Sequence, residues 1–185
     1  MMTDTPTTTI YGGPSRSIAL LAAWLATGGS LFFSEVLHFT PCLLCWYQRI
    51  LMYPLAVILT IGMLRRNNEL HHYTLPFSVV GIFVSLYHYL LIKTDWFPPP
   101  PCLKSVPCTV DYFNILGFIN IPFMAFIAFI IITVMMVVSQ YEPYAEPASA
   151  AEINGIRALT APTAYPVIGI IAGVLVFLVV LAYIV

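Results

Sequence analysis

Four cysteines are the residues of this sequence best suited to chemistry, and they fall as two pairs. Cys42 and Cys45 stand in Pro41-Cys42-Leu43-Leu44-Cys45, while Cys102 and Cys108 flank a short segment further on. A separation of three residues lets both sulfurs of the first pair lie over one turn at the start of a helix, near enough to bridge. Unpaired amides at a helix N-terminus favour a thiolate, so this pair reads as a redox-active dithiol. The second pair has no helix start beside it. Its looser spacing suits a flexible disulfide that accepts attack by an outside thiolate, with one sulfur exposed and the other resolving the mixed disulfide. A structural loop staple is the alternative for that pair. Zinc is the other competitor for four cysteines, but the second pair is wider than the usual spacing of roughly two to four intervening residues, and no metal is expected.

Arg49 follows Cys45 by four residues, one turn deeper on the same helix face. A cation there could stabilise a thiolate, or the negative charge that develops on a quinone during reduction. The plainer reading is an interfacial arginine that snorkels to the headgroups. The neighbouring cysteines favour the functional one. His88 falls about one turn inside the end of a later apolar segment and is expected to hydrogen-bond a quinone. Glu35 and His38, three apart, are expected to share a face in a structural role. Trp46, Tyr47, Trp96 and Phe97 fit an interfacial aromatic belt, and His71 and His72 read as solvated loop residues. The run Phe97-Pro98-Pro99-Pro100-Pro101-Cys102 favours an extended polyproline segment, either holding Cys102 out for a visitor or serving as a stiff connector.

The elements that must position these residues are membrane helices. Hydrophobic residues make up 60% of the chain and charged ones only 8%, against about 25% charged in a soluble domain. A net charge of -1, with no basic stripe, argues against a nucleic-acid partner; membrane lipid is the surrounding expected. Five segments approach the roughly 20 apolar residues a bilayer-crossing helix needs: 18–36, 46–64, 75–92, 115–138 and 166–185. Because backbone amides in lipid must be satisfied within the segment, each is read as a helix. The first reads as a retained signal anchor, since a second span follows almost at once. Residues 1–14 read as a polar tail, 15–140 as the four-helix unit, 141–165 as a linker with a short surface helix, and 166–185 as an additional C-terminal transmembrane helix. The fold class expected is therefore all-α: a polytopic membrane four-helix bundle with one extra helix. Arg16 before the first span and Arg65 and Arg66 after the second put those ends in the cytoplasm, with Lys93 and Lys104 opposing the bias. All four cysteines then face the outer, oxidising side, where disulfides persist.

Pro41-Cys42-Leu43-Leu44-Cys45-Trp46-Tyr47-Gln48-Arg49 resembles the signature of the disulfide bond formation protein B family, closest to its short, Gram-positive-type BdbC branch. Leu116-Gly117, Pro122 and the run Val137-Val138-Ser139-Gln140 extend the resemblance over roughly residues 15–140. The resemblance implies a thiol:quinone oxidoreductase in the bacterial plasma membrane, its redox loops extracytoplasmic. Such an enzyme reoxidises a thioredoxin-like thiol oxidase and so drives disulfide formation in exported proteins. Carried onto this chain, Cys102 and Cys108 take electrons from the partner, Cys42 and Cys45 reoxidise them, and Cys45 faces the quinone, whether ubiquinone or menaquinone. Arg49 matches the family arginine associated with quinone, and His88 matches a family histidine loosely. The close spacing of the second pair and the fifth apolar segment depart from the family pattern. From a different class, the chain could be a non-catalytic membrane subunit whose disulfides only staple its loops.

Overall fold

A computed structural model describes residues 13–94, 96–97, 107–112, 114, 116–142 and 164–184. Helix α1 covers Gly13–Leu31 and runs on into a π-helical turn, Phe32–Val36. Helices α2 (Leu43–Leu64), α3 (Leu70–Lys93) and α4 (Ile121–Val138) follow, α4 ending in a 3-10 turn at Ser139–Tyr141. Helix α5 covers Ala164–Ile184. There is no strand among the described residues, and the all-α class holds. Among the described residues, four segments are long and apolar enough to cross a membrane: Gly13–Val36, Leu43–Leu64, Leu70–Lys93 and Ile121–Tyr141. The C-terminal helix expected over 166–185 is present as α5, with a shorter apolar stretch, Val167–Tyr183.

Helices α1 to α4 pack each on its sequence neighbour, and α1 closes the ring against α4. Leu20 and Ala23 of α1, Leu55, Leu59 and Met63 of α2, and Phe129, Ile132 and Met136 of α4 form one buried core. Association in lipid depends on close packing and on hydrogen bonds between helices. Gly81 of α3 supplies the first, because a Cβ there would stand 2.3 Å from the ring of Phe129. Trp24 supplies the second, its Nε1 donating to Thr60 Oγ1 at 3.1 Å across α1 and α2.

The helix ends depart from the hydropathy reading at the starts of α4 and α1, whereas α2 ends at Leu64 as expected. The fourth helix was expected from 115 and starts at Ile121. Leu116 and Gly117 both take positive φ (56° and 81°), which breaks the run, and Asn120 caps the helix by accepting from the Phe123 amide at 3.1 Å. Helix α2 ends in a Schellman turn in which Arg66, at φ 51°, stands where glycine is usual: its amide donates to Met63 O and that of Asn67 to Gly62 O. Arg16, expected as a charge flanking the first span, lies inside α1 and is buried. Its guanidinium donates to the carbonyl of Ser139 (3.1 Å), which also accepts from the Glu142 amide, and to that of Glu142 just past the 3-10 turn. Of the expected linker, residues 143–163 lie outside the described residues, as does the tail as far as residue 12.

Candidate functional site

Cys42 is the N-cap of α2, with extended backbone (φ -74°, ψ 175°), and its sulfur accepts from the Cys45 amide at 3.4 Å. The first pair therefore occupies the helix start that its spacing predicts. The two side chains are thiols with their sulfurs 3.1 Å apart, the Cys42 thiol donating to Cys45. Donation to Cys45 and then burial push the Cys42 thiol up to about 12, so Cys42 is the member of the pair that keeps its proton.

His88, buried on α3, reaches across to this pair. Its Nε2 lies 3.2 Å from the carbonyl oxygen of Cys108 and 3.6 Å from Cys42 Sγ, and its Nδ1 lies 3.2 Å from Gln48 Nε2. A carbonyl only accepts, so Nε2 carries the proton, and Nδ1 is left to accept from the Gln48 amide. Those contacts assign the neutral Nε2–H tautomer. Gln48 entered the sequence reading only as a letter of the motif. A signal for it existed: with Leu44 and Met52 it forms a buried stripe at i, i+4, i+8 of α2, and a buried amide in an apolar stripe needs a partner.

The second pair is only half described. Cys102 lies outside the described residues. Cys108, expected at the edge of a short loop, lies in a turn there and is buried, packed with Cys42, Leu44 and Leu91, with Cys45 and Tyr87 against them. Its segment is moored from outside by Lys93 on α3, which pairs with Asp111 at 3.5 Å and donates to Gly117 O at 3.0 Å.

Arg49 is on the expected turn of α2, but its guanidinium turns to α1. Nε donates to Ser30 Oγ at 2.9 Å and an η-nitrogen to Ser30 O at 3.0 Å, while the guanidinium carbon stands 5.5 Å over the Trp46 ring. The Tyr53 hydroxyl donates to Ser30 Oγ at 3.4 Å. Ser30 and Tyr53 were missed, since no motif pairs them with Arg49. These groups line a cavity of about 450 Å³, largely apolar, whose wall also carries Cys42, Cys45 and His88. Its size and its few convergent polar groups are those of a small-molecule site.

The other singled-out residues stay away from this cluster. Glu35 falls in the π-turn and accepts from Ser34, and His38 lies beyond the helix end at φ 54°; both are exposed and they share no helical face. Trp46, Tyr47, Trp96 and Phe97 are exposed, as an interfacial belt requires. His71 and His72 lie in the first turn of α3 rather than in a loop, their rings 4.0 Å apart and tilted by 39°.

Several known proteins resemble this chain. Disulfide bond formation protein C of Bacillus subtilis (strain 168) is 47% identical over 116 residues, 60% of this chain and 84% of the relative. A probable disulfide formation protein C of Halalkalibacterium halodurans is 49% identical over 111 residues, 57% of this chain and 81% of the relative. A probable disulfide formation protein of Oceanobacillus iheyensis is 49% identical over 105 residues, 56% of this chain and 72% of the relative. No solved structure matches the chain significantly. The family model for disulfide bond formation protein DsbB matches residues 15–139, the stretch from α1 to the end of α4 that holds the cysteine pair, His88 and Arg49, and the chain belongs to that family.

Proposed function

We propose that this chain is a protein-dithiol:quinone oxidoreductase of the bacterial plasma membrane, with its cysteines on the extracytoplasmic side. It would reoxidise a thioredoxin-like thiol oxidase and so sustain disulfide formation in exported proteins. The observation that carries the reading is that one dithiol, at the cap of α2, stands between two partners. On one side is buried Cys108 and on the other a largely apolar cavity with Arg49 on its wall.

A partner thiolate attacks the Cys102–Cys108 disulfide, and the partner's second thiol resolves the mixed disulfide, leaving Cys102 and Cys108 reduced. Cys108, packed against Cys42, then attacks the Cys42–Cys45 disulfide at Cys42 and releases Cys45 as thiolate. Cys102 attacks Cys108 in turn, which restores the second disulfide and frees Cys42. His88 donates its Nε2–H toward the Cys42 sulfur as that negative charge appears. The chain fits a quinone because the cavity is apolar and polar groups gather at the cysteine end, with Arg49 held by Ser30 and backed by Trp46. A bound ubiquinone or menaquinone supplies the two-electron acceptor; the protein supplies position and charge. Reclosing the Cys42–Cys45 disulfide returns the enzyme to its starting state.

The test is anaerobic: purified protein in detergent, either quinone, and a reduced thioredoxin-like dithiol protein, followed by quinone absorbance. Absorbance should fall at a rate that Cys42→Ser and Cys45→Ser abolish. Replacing Arg49 by Met should raise the quinone KM about tenfold, as expected for loss of a charge-assisted hydrogen bond of about 1.5 kcal/mol. Absence of quinone loss with a competent partner and an intact fold would instead favour a membrane subunit whose disulfides staple its loops.

A further inference from the structure

We propose that the reduced first pair and His88 form a binding site for a thiophilic closed-shell metal ion, Zn2+ or Cu+, with Cys42 Sγ, Cys45 Sγ and His88 Nε2 as its ligands. The three ligand atoms all lie within 4.8 Å of one another. Cys42 Sγ is 3.1 Å from Cys45 Sγ and 3.6 Å from His88 Nε2. Around a tetrahedral ion with bonds of about 2.3 Å to sulfur and about 2.0 Å to nitrogen, two sulfurs stand about 3.8 Å apart and a sulfur and a nitrogen about 3.5 Å apart. Small side-chain adjustments therefore suffice, and two soft thiolates with one imidazole select these ions over hard cations.

The surroundings supply what such a site needs beyond its ligands. Cys42 and His88 are buried, whereas Cys45 is half-buried and borders the cavity, which gives the ion an entry path and a fourth, open position. An ion on Nε2 moves the imidazole proton to Nδ1. Gln48, 3.2 Å away, accommodates that change by turning its amide so that the oxygen accepts from Nδ1–H. The same substitution on Nε2 costs the hydrogen bond to the Cys108 carbonyl, so the ion competes with docking of the Cys108 segment. This ligand set differs from a site of four cysteines, because His88 takes the place of the whole second pair.

Binding transfers no electrons. Both thiols give up a proton and both sulfurs are held by the ion, so the oxidised protein cannot bind it and the loaded protein cannot close the disulfide. On the redox function proposed above, the ion is an inhibitor that traps the reduced enzyme; the binding itself does not depend on that function.

Full-length protein in detergent, reduced anaerobically with a phosphine and then freed of it, is titrated with Co2+ as a spectroscopic stand-in for Zn2+. Cu+ is titrated separately against a chromogenic chelator. We expect one ion per chain, a sulfur-to-cobalt charge-transfer band that Zn2+ erases, and release of about two protons per ion. Protein carrying the Cys42–Cys45 disulfide should bind neither ion. The His88→Gln variant should bind at least tenfold more weakly, and the double variant Cys102→Ser, Cys108→Ser should bind as the parent does. Silence of the reduced parent toward both ions, or equal binding by the disulfide form, overturns the site. Loss of binding in the Cys102→Ser, Cys108→Ser protein overturns the ligand set in favour of four cysteines. Tight binding without slower quinone reduction overturns only the inhibitory consequence, whereas failure of the parent to reduce quinone without metal counts against the redox reading alone.

Discussion

Two helix contacts in this molecule rest on the same device, a glycine that lets a neighbour come close, and they hold very different things together. Between α3 and α4, a Cβ on Gly81 would meet three atoms of the Phe129 ring at 2.3 to 2.6 Å. That ring is fully buried in the core and has nowhere to turn. Between α1 and α5, a Cβ on Gly28 would meet the Leu178 Cδ1 at 2.3 Å, the free end of a half-buried side chain. The burial patterns agree with this contrast. Helix α2 buries Leu44, Gln48, Met52, Leu55, Ala56, Leu59, Gly62 and Met63, an unbroken stripe. Among its described residues α5 buries only Val167 and Val174, two turns apart. The four helices matched by the family interlock; α5 lies along the outside of α1, with some contact to α2.

If the bundle is the interlocked part, the largest effect should come from filling its close contact. Gly81→Leu drives a side chain into Phe129 and should destabilise the bundle by about 1–3 kcal/mol, the range for overpacking. Thermal unfolding in detergent should show it, together with lost turnover as α3 carries His88 out of register. An unchanged melting temperature would mean that α3 and α4 can separate freely, and the contrast with α5 would fail.

A smaller effect is expected at the far end of the bundle. Arg16 ties the start of α1 to the end of α4 through two carbonyls, and Arg16→Met removes hydrogen bonds from a charged donor worth about 1.5–3 kcal/mol each before the relief of its burial is counted. The net loss should be below that of Gly81→Leu. Turnover per folded molecule should hold, because the cysteine pair lies at the opposite end of α1. A loss of turnover without a loss of stability would show that the two ends of the bundle are coupled.

What the sequence made legible follows the same division between local and distant causes. The helix class, the α2 start and the placing of Cys42 and Cys45 there all depend on neighbours within one turn, and the sequence reading had them. The start of α4 was misread because hydropathy runs on through Leu116 and Phe118, although Asn120 followed by Pro122 is a capping signal. Burial of Arg16 could not be seen, since its acceptors lie 123 and 126 residues away. The pairing of Gln48 with His88 spans 40 residues and that of Arg49 with Ser30 spans 19, so both wait on how the helices pack. Cys108 is the clearest case: its spacing spoke of a loop, and only tertiary packing sets it against Cys42.

The smallest effect should come from the α1–α5 contact, and it separates the two regions most cleanly. Gly28→Leu pushes on the tip of Leu178, which can rotate away or let α5 shift along α1. The cost should stay below about 1 kcal/mol, the low end of what overpacking does in a rigid core. No described residue of α5 lines the cavity beside the cysteine pair, and the family match ends at residue 139, before α5 begins. Turnover with quinone should therefore be unchanged in Gly28→Leu, and also in a chain ended after residue 142. Limited proteolysis should meanwhile release α5 faster from the Gly28→Leu protein than from the parent. A variant that loses turnover while its four helices stay folded would make α5 part of the working unit. The π-turn Phe32–Val36 would then be the place to look, because it contacts α5 on one side and puts Phe33 on the cavity wall on the other.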